Sequence, residues 1–105
     1  MKYNLDIERI ARELEFDVED VIEVVEIFLE TVNDSLSELK DGIDTNDMKK
    51  IFEAAHSIKG SSANLLLEDI SVLAKEIEFA GRANKNIDYI SKYNELCLLI
   101  DNIKK

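Results

Sequence analysis

The sequence predicts an all-α domain, an antiparallel four-helix bundle with an additional short N-terminal helix, on three observations. Its 105 residues include three glycines and no proline, too little punctuation for a fold of strands and turns. Apolar residues recur at three- and four-residue spacing in successive stretches, which is the mark of amphipathic helices. Hydrophobic residues make up 46% of the chain and charged residues 34%, an ordinary globular balance rather than a disordered one. A chain of this length makes a single domain, residues 1–105, and it carries no repeat or interdomain linker.

Tyr3, Ile7, Ile10 and Leu14 place a first helix at about residues 4–15, too short to stand alone and therefore a lid or brace. Asp17 is a natural N-cap for the second helix, with Phe16 stapling onto Val21. That helix runs to about Lys40 on the stripe Val21, Val25, Phe28, Val32, Leu36 and Leu39, and Gly42 closes it as a C-terminal cap. Val24 and Ile27 point away from the stripe; either the first helix packs over them or they form an exposed docking patch. Asp44 or Thr45 caps the third helix, which reaches about Leu66. Glu68 and Asp69 suit the start of a fourth, which turns Ile70, Leu73, Ala74, Ile77 and Ala80 inward. Val72 and Phe79 face elsewhere, toward a neighbouring element or a second contact surface. Asn86 caps the fifth helix, with the stripe Tyr89, Ile90, Tyr93, Leu96, Cys97, Ile100 and Ile103. Cys97 has no second cysteine to pair with and reads as a small core residue. Four long amphipathic helices on short connections bury their stripes best as an antiparallel bundle.

Several function classes are excluded. A net charge of −10 opposes binding to nucleic acid or to anionic membrane, both of which need clustered Lys and Arg. No apolar run is long enough to span a bilayer and the N-terminus lacks a signal peptide's basic and apolar regions, so a cytoplasmic location is expected. The chain is read as a monomer, although its sequence does not by itself set the oligomeric state. Glu53 and His56 have the spacing of half a di-iron carboxylate site, but a chain with one histidine cannot supply the second half. There is no Cys/His set for zinc, no Gly-rich phosphate loop and no nucleophile elbow, so no metal, nucleotide or serine-hydrolase site is expected.

What remains is the stretch Ala55-His56-Ser57-Ile58-Lys59-Gly60-Ser61-Ser62, which holds that single histidine. At about 100° per residue, Met48, Ile51, Phe52, Ala55, Ile58, Leu65 and Leu66 form one broad stripe. His56 lies roughly 110° from its middle, Lys59 about 50° and Gly60 about 150°. The imidazole therefore stands at the boundary of the core, with a cation and a gap one turn beyond it. A helical glycine costs about 1 kcal/mol against alanine, so Gly60 serves either the close approach of another molecule or helix–helix packing. A lone histidine at such a boundary is ordinarily a structural residue and a nearby lysine a solvated charge. Here the pattern favours a nucleophile: a neutral imidazole can attack a phosphoryl group, Lys59 offsets the charge gained, and Gly60 leaves room for a second protein's acceptor carboxylate.

His56-Ser57-Ile58-Lys59-Gly60-Ser61-Ser62 resembles the signature of histidine phosphotransfer (HPt) domains, with Ala55 before the histidine and Leu65 nine residues after it also matching. Ile77-Glu78-Phe79-Ala80-Gly81-Arg82 is similar to a Leu-Glu-x-Ala-x-Arg stretch on the family's following helix, and the resemblance runs over essentially the whole chain. It implies that His56 accepts a phosphoryl group from, and donates it to, receiver-domain aspartates in a multistep two-component phosphorelay, downstream of a hybrid histidine kinase. Lys59 would stabilise the phosphohistidine, Gly60 would keep the docking face open with Ile27 nearby, and Mg²⁺ would be held by the receiver rather than by this chain. The chain would be a phosphoryl carrier with no ATP-dependent kinase activity of its own. One departure is Leu66, where the family usually has a glycine at a close approach between helices; Leu66 fills that space. Two other readings compete: a non-catalytic binding module that docks receiver or kinase domains, and a phosphoacceptor domain belonging to a larger chemotaxis-type or hybrid kinase. Met1 and the compact end at Lys105 favour a free-standing protein.

Overall fold

A computed structural model describes residues 3–104; Met1 and Lys105, read above as the ends of a free-standing protein, lie outside them. The described residues form α1 (Ile7–Leu14), α2 (Val18–Asp44), α3 (Met48–Asn64), α4 (Glu68–Arg82) and α5 (Tyr89–Asp101), closed by a 3₁₀ turn at Asn102–Lys104, with no strand among them. The 27 residues of α2 span about 40 Å at 1.5 Å per residue, and this helix sets the 41 Å long axis of the molecule. α2 packs on α3, α3 on α4, α4 on α5, and α5 back on α2, so the four helices stand at the corners of a ring. Among the described elements α1 packs on α2 alone, which makes it a brace. Val21, Val25, Val32 and Leu39 from α2, Ile51 and Ile58 from α3, Ile77 from α4 and Leu96 from α5 are fully buried at the centre.

The boundaries differ from the sequence reading at several points, and each has a local cause. Gly42 does not end α2; the helix runs through it to Asp44. An added Cβ there would stand 3.0 Å from the Ile51 backbone nitrogen, so Gly42 lets α3 approach α2 rather than relieving a turn. Asp47, not Asp44 or Thr45, caps α3 by accepting from the Lys50 N–H at 3.2 Å. Asp88, not Asn86, caps α5 through the Ser91 N–H at 3.1 Å. Asp17 does stand at the start of α2 but makes no side-chain capping hydrogen bond, and Phe16 stays half exposed instead of burying as a staple. On α5, Ile90 is exposed and Cys97 only half-buried, so the fully buried stripe narrows to Tyr89, Leu96 and Ile100, continued by Ile103.

The turns between helices are closed by left-handed residues that are not glycine: Glu15, Asn46, Leu66 and Asn84, at φ between 55° and 59°. After each, the next N–H reaches back to the third-last carbonyl of the preceding helix or its equivalent, as in Leu67 N–H to Ser62 O at 3.0 Å and Lys85 N–H to Ala80 O at 2.8 Å. This corrects the reading of Leu66. α3 ends at Asn64, and the position that favours glycine does so for its backbone angle rather than for helix crowding. A leucine held there costs about 1–2 kcal/mol, and its side chain is half-buried beside Leu5, Leu67 and Leu99.

Candidate functional site

The site is built on the flank of α3 that faces α4. Ile51, Ala54, Ala55, Ile58 and Ser62 turn into the bundle, and the helical repeat then carries His56 and Gly60 outward with Lys59 at the seam. α4 crosses close by because Gly81 lets it in; a Cβ there would meet Ile51 and Phe52 at 3.2 Å. This close crossing brings Glu78 beneath the imidazole.

Glu78 is the organising residue. Its side chain is 3% exposed, whereas that of His56 is 61% exposed. Glu78 Oε2 lies 2.7 Å from His56 Nδ1 and 3.0 Å from the Arg82 guanidinium, while Oε1 lies 2.7 Å from Lys59 Nζ. The Lys59 contact is an ion pair whose direction falls outside that of a good hydrogen bond, and Oε1 has no other partner among the described residues. Arg82 in turn lies over the Phe52 ring, 4.8 Å from its centroid, which fixes the guanidinium on the same flank.

The charge state follows from these contacts. Burial pushes the Glu78 carboxyl up, but its contacts with Lys59, His56 and Arg82 overcome that and hold it down at about 2. An ionised carboxylate only accepts hydrogen bonds, so His56 Nδ1 must carry the proton and donate it. In the neutral ring the lone pair then resides on Nε2, the nitrogen facing away from Glu78. The neighbouring hydroxyls are committed elsewhere: Ser61 donates to Ser57 O at 3.0 Å and Ser62 to Ile58 O at 2.6 Å, both within α3.

Of the residues singled out from sequence, the structure brings His56 and Lys59 together through Glu78 and sets Gly60 beside them on the open surface. A Cβ at Gly60 would meet nothing within 4 Å, so helix packing does not account for this glycine. Ile27 is 51% exposed, so α1 does not cover it; Val24 is partly buried against the core. Because Gly42 packs beside Ile51 in an antiparallel pair, Ile27 falls about ten residues, or ~15 Å, along the bundle axis from His56. Val72 and Phe79 are exposed on α4 with no element over them. Glu78 itself escaped the sequence reading as a site residue; its signal is an acid between Ile77 and Ala80, both predicted to face inward, one turn before an arginine.

Among the described residues no cluster of His, Cys, Asp and Glu could hold a metal ion, and no helix is long and apolar enough to cross a membrane. The family model of the Hpt domain matches residues 23–105, leaving α1 and the first turn of α2 outside the match. No curated protein and no solved structure matches the chain.

Proposed function

The chain belongs to the Hpt domain family, whose members have a phosphotransfer role in phosphorelays, and we propose that it relays phosphate between receiver-domain aspartates through His56. The observation that carries the reading is an exposed imidazole whose inner nitrogen is held by a buried, ionised carboxylate. That contact leaves Nε2 outward with its lone pair available. In transfer, Nε2 forms a bond to phosphorus as the P–O bond to the receiver's aspartate breaks, and the aspartate carboxylate leaves with the bonding pair. The ring gains positive charge in that step, which the Nδ1–H···Glu78 hydrogen bond offsets. Lys59, partly exposed and paired with Glu78, is the cation that in this reading turns its ammonium toward the added phosphoryl oxygens. Onward transfer to a second aspartate is the same step reversed.

Gly60 leaves the surface beside His56 free for a partner's backbone, and in this reading the partner also covers the exposed Ile27. Mg²⁺ belongs to the receiver in this reading, and the phosphoryl group reaches the chain from an upstream hybrid kinase or its receiver. The alternative of a binding module without chemistry rested on Leu66, and that residue sits in the α3–α4 turn, two residues past the end of α3.

The deciding experiment is incubation with a phosphorylated receiver domain and Mg²⁺. The expected label on this chain is acid-labile and base-stable, and it is absent from His56→Gln, which folds normally because the ring is exposed. A label that survives in His56→Gln would move the acceptor to another residue.

A further inference from the structure

Glu78 is used unevenly by its partners. Oε2 receives both His56 and Arg82, whereas Oε1, buried and without a directed hydrogen bond, is balanced by Lys59 alone. A phosphoryl group on His56 would introduce a second, stronger anion on the other side of the imidazole, since Nδ1 faces Glu78 and Nε2 faces away. Lys59 is the cation that Oε1 and the phosphoryl group would share, since Arg82 is bound to Oε2 and held over the Phe52 ring. If its ammonium swings out to the phosphoryl oxygens, Oε1 is left as a buried anionic atom with no partner, which is strongly unfavourable. If it stays, the phosphoryl group goes without that cation. Resting on the reading of His56 as the phosphoacceptor, we propose that Glu78 is an internal counter-ion that competes with the phosphoryl group for Lys59 and keeps the phosphohistidine short-lived and ready to be passed on. Glu78 is thus a positioning residue with two opposed effects: it orients the nucleophile and offsets the ring's charge during transfer, and by retaining Lys59 it weakens the product's hold on its phosphate afterwards, the second outweighing the first because a glutamine at 78 could still accept from Nδ1.

The test uses phosphoramidate as donor, so that no partner protein is needed. Nε2 attacks phosphorus, the donor's P–N bond breaks, and ammonia leaves with the bonding pair. After removal of the donor, loss of phosphate to water is followed in wild type, Glu78→Gln, Lys59→Met and the double variant. Glu78→Gln is expected to hold its phosphoryl group about fivefold longer than wild type, and Lys59→Met to lose it about fivefold faster. In the Lys59→Met background the Glu78→Gln change should alter the lifetime by less than about twofold, because the contested cation is gone. Equal lifetimes in wild type and Glu78→Gln would overturn the proposal, as would a lengthening that persists undiminished without Lys59. Should circular dichroism show Glu78→Gln to be unfolded, Glu78→Asp keeps the charge but draws it back from Lys59, and a lengthening of about twofold is expected; none would count against the proposal. A wild-type chain that takes no label on His56 would overturn the phosphoacceptor reading, and this inference with it.

Discussion

Glu76 and Glu78 stand two residues apart on α4, and each lies within 3.0 Å of a cation. Glu76 reaches Lys92 on α5 from a half-exposed position, where water and salt screen the pair and neither charge depends on the other. Glu78 points 200° further round the helix, into the seam with α3, and there its charge is removed from water and held by three side chains of the candidate site. The same contrast separates two glycines. Gly42 sits where α3 presses against α2, whereas at Gly60 an added Cβ would meet no described residue of another element within 4 Å. Residue type is shared within each pair; the direction the helix gives the residue decides whether it supports the fold or is left for a partner.

The comparison is broken first at Glu78. Glu78→Gln removes the charge at nearly constant volume and should destabilise the domain by about 3 kcal/mol at pH 7 in urea unfolding. Because the carboxyl is held at about 2, below its ordinary 4.5, its contribution is complete above pH 4.5 and is lost as the pH falls toward 2. The gap between wild type and Glu78→Gln should therefore close across that window; a gap that stays constant would assign the loss to packing. The glycines give the next largest effect and opposite signs. Gly42→Ala forces a Cβ against the Ile51 backbone and should cost about 1–2 kcal/mol even after the gain in helix propensity, while Gly60→Ala should stabilise by about 1 kcal/mol. Stabilisation of both would mean that α2 and α3 separate easily. The smallest effect belongs to Glu76→Gln, expected within about 0.5 kcal/mol and reduced further by salt.

Much of the bundle was legible because helical periodicity is a property of the chain itself. The stripes of α2 and α4 named the residues that are buried, and the His56–Lys59–Gly60 spacing set the imidazole at the boundary before any neighbour was known. Helix ends were less legible. Gly42 resembles a C-cap in sequence, yet the residues that take left-handed angles are Glu15, Asn46, Leu66 and Asn84, where the turn geometry overrides local preference. Ile90 fits the α5 stripe by spacing, but only the packing of α5 against α2 and α4 determines how wide a stripe is covered.

By itself the sequence determined the fold class, the helix faces and the identity of the surface histidine, since these follow from spacing along one chain. It could not show that Glu78 lies beneath His56, because 22 residues separate them and an acid in an apolar run has no partner until two helices cross. Nor could it tell that Gly60 is open and Gly42 closed. Those differences arise from the approach of a second helix, and they exist only in the assembled bundle.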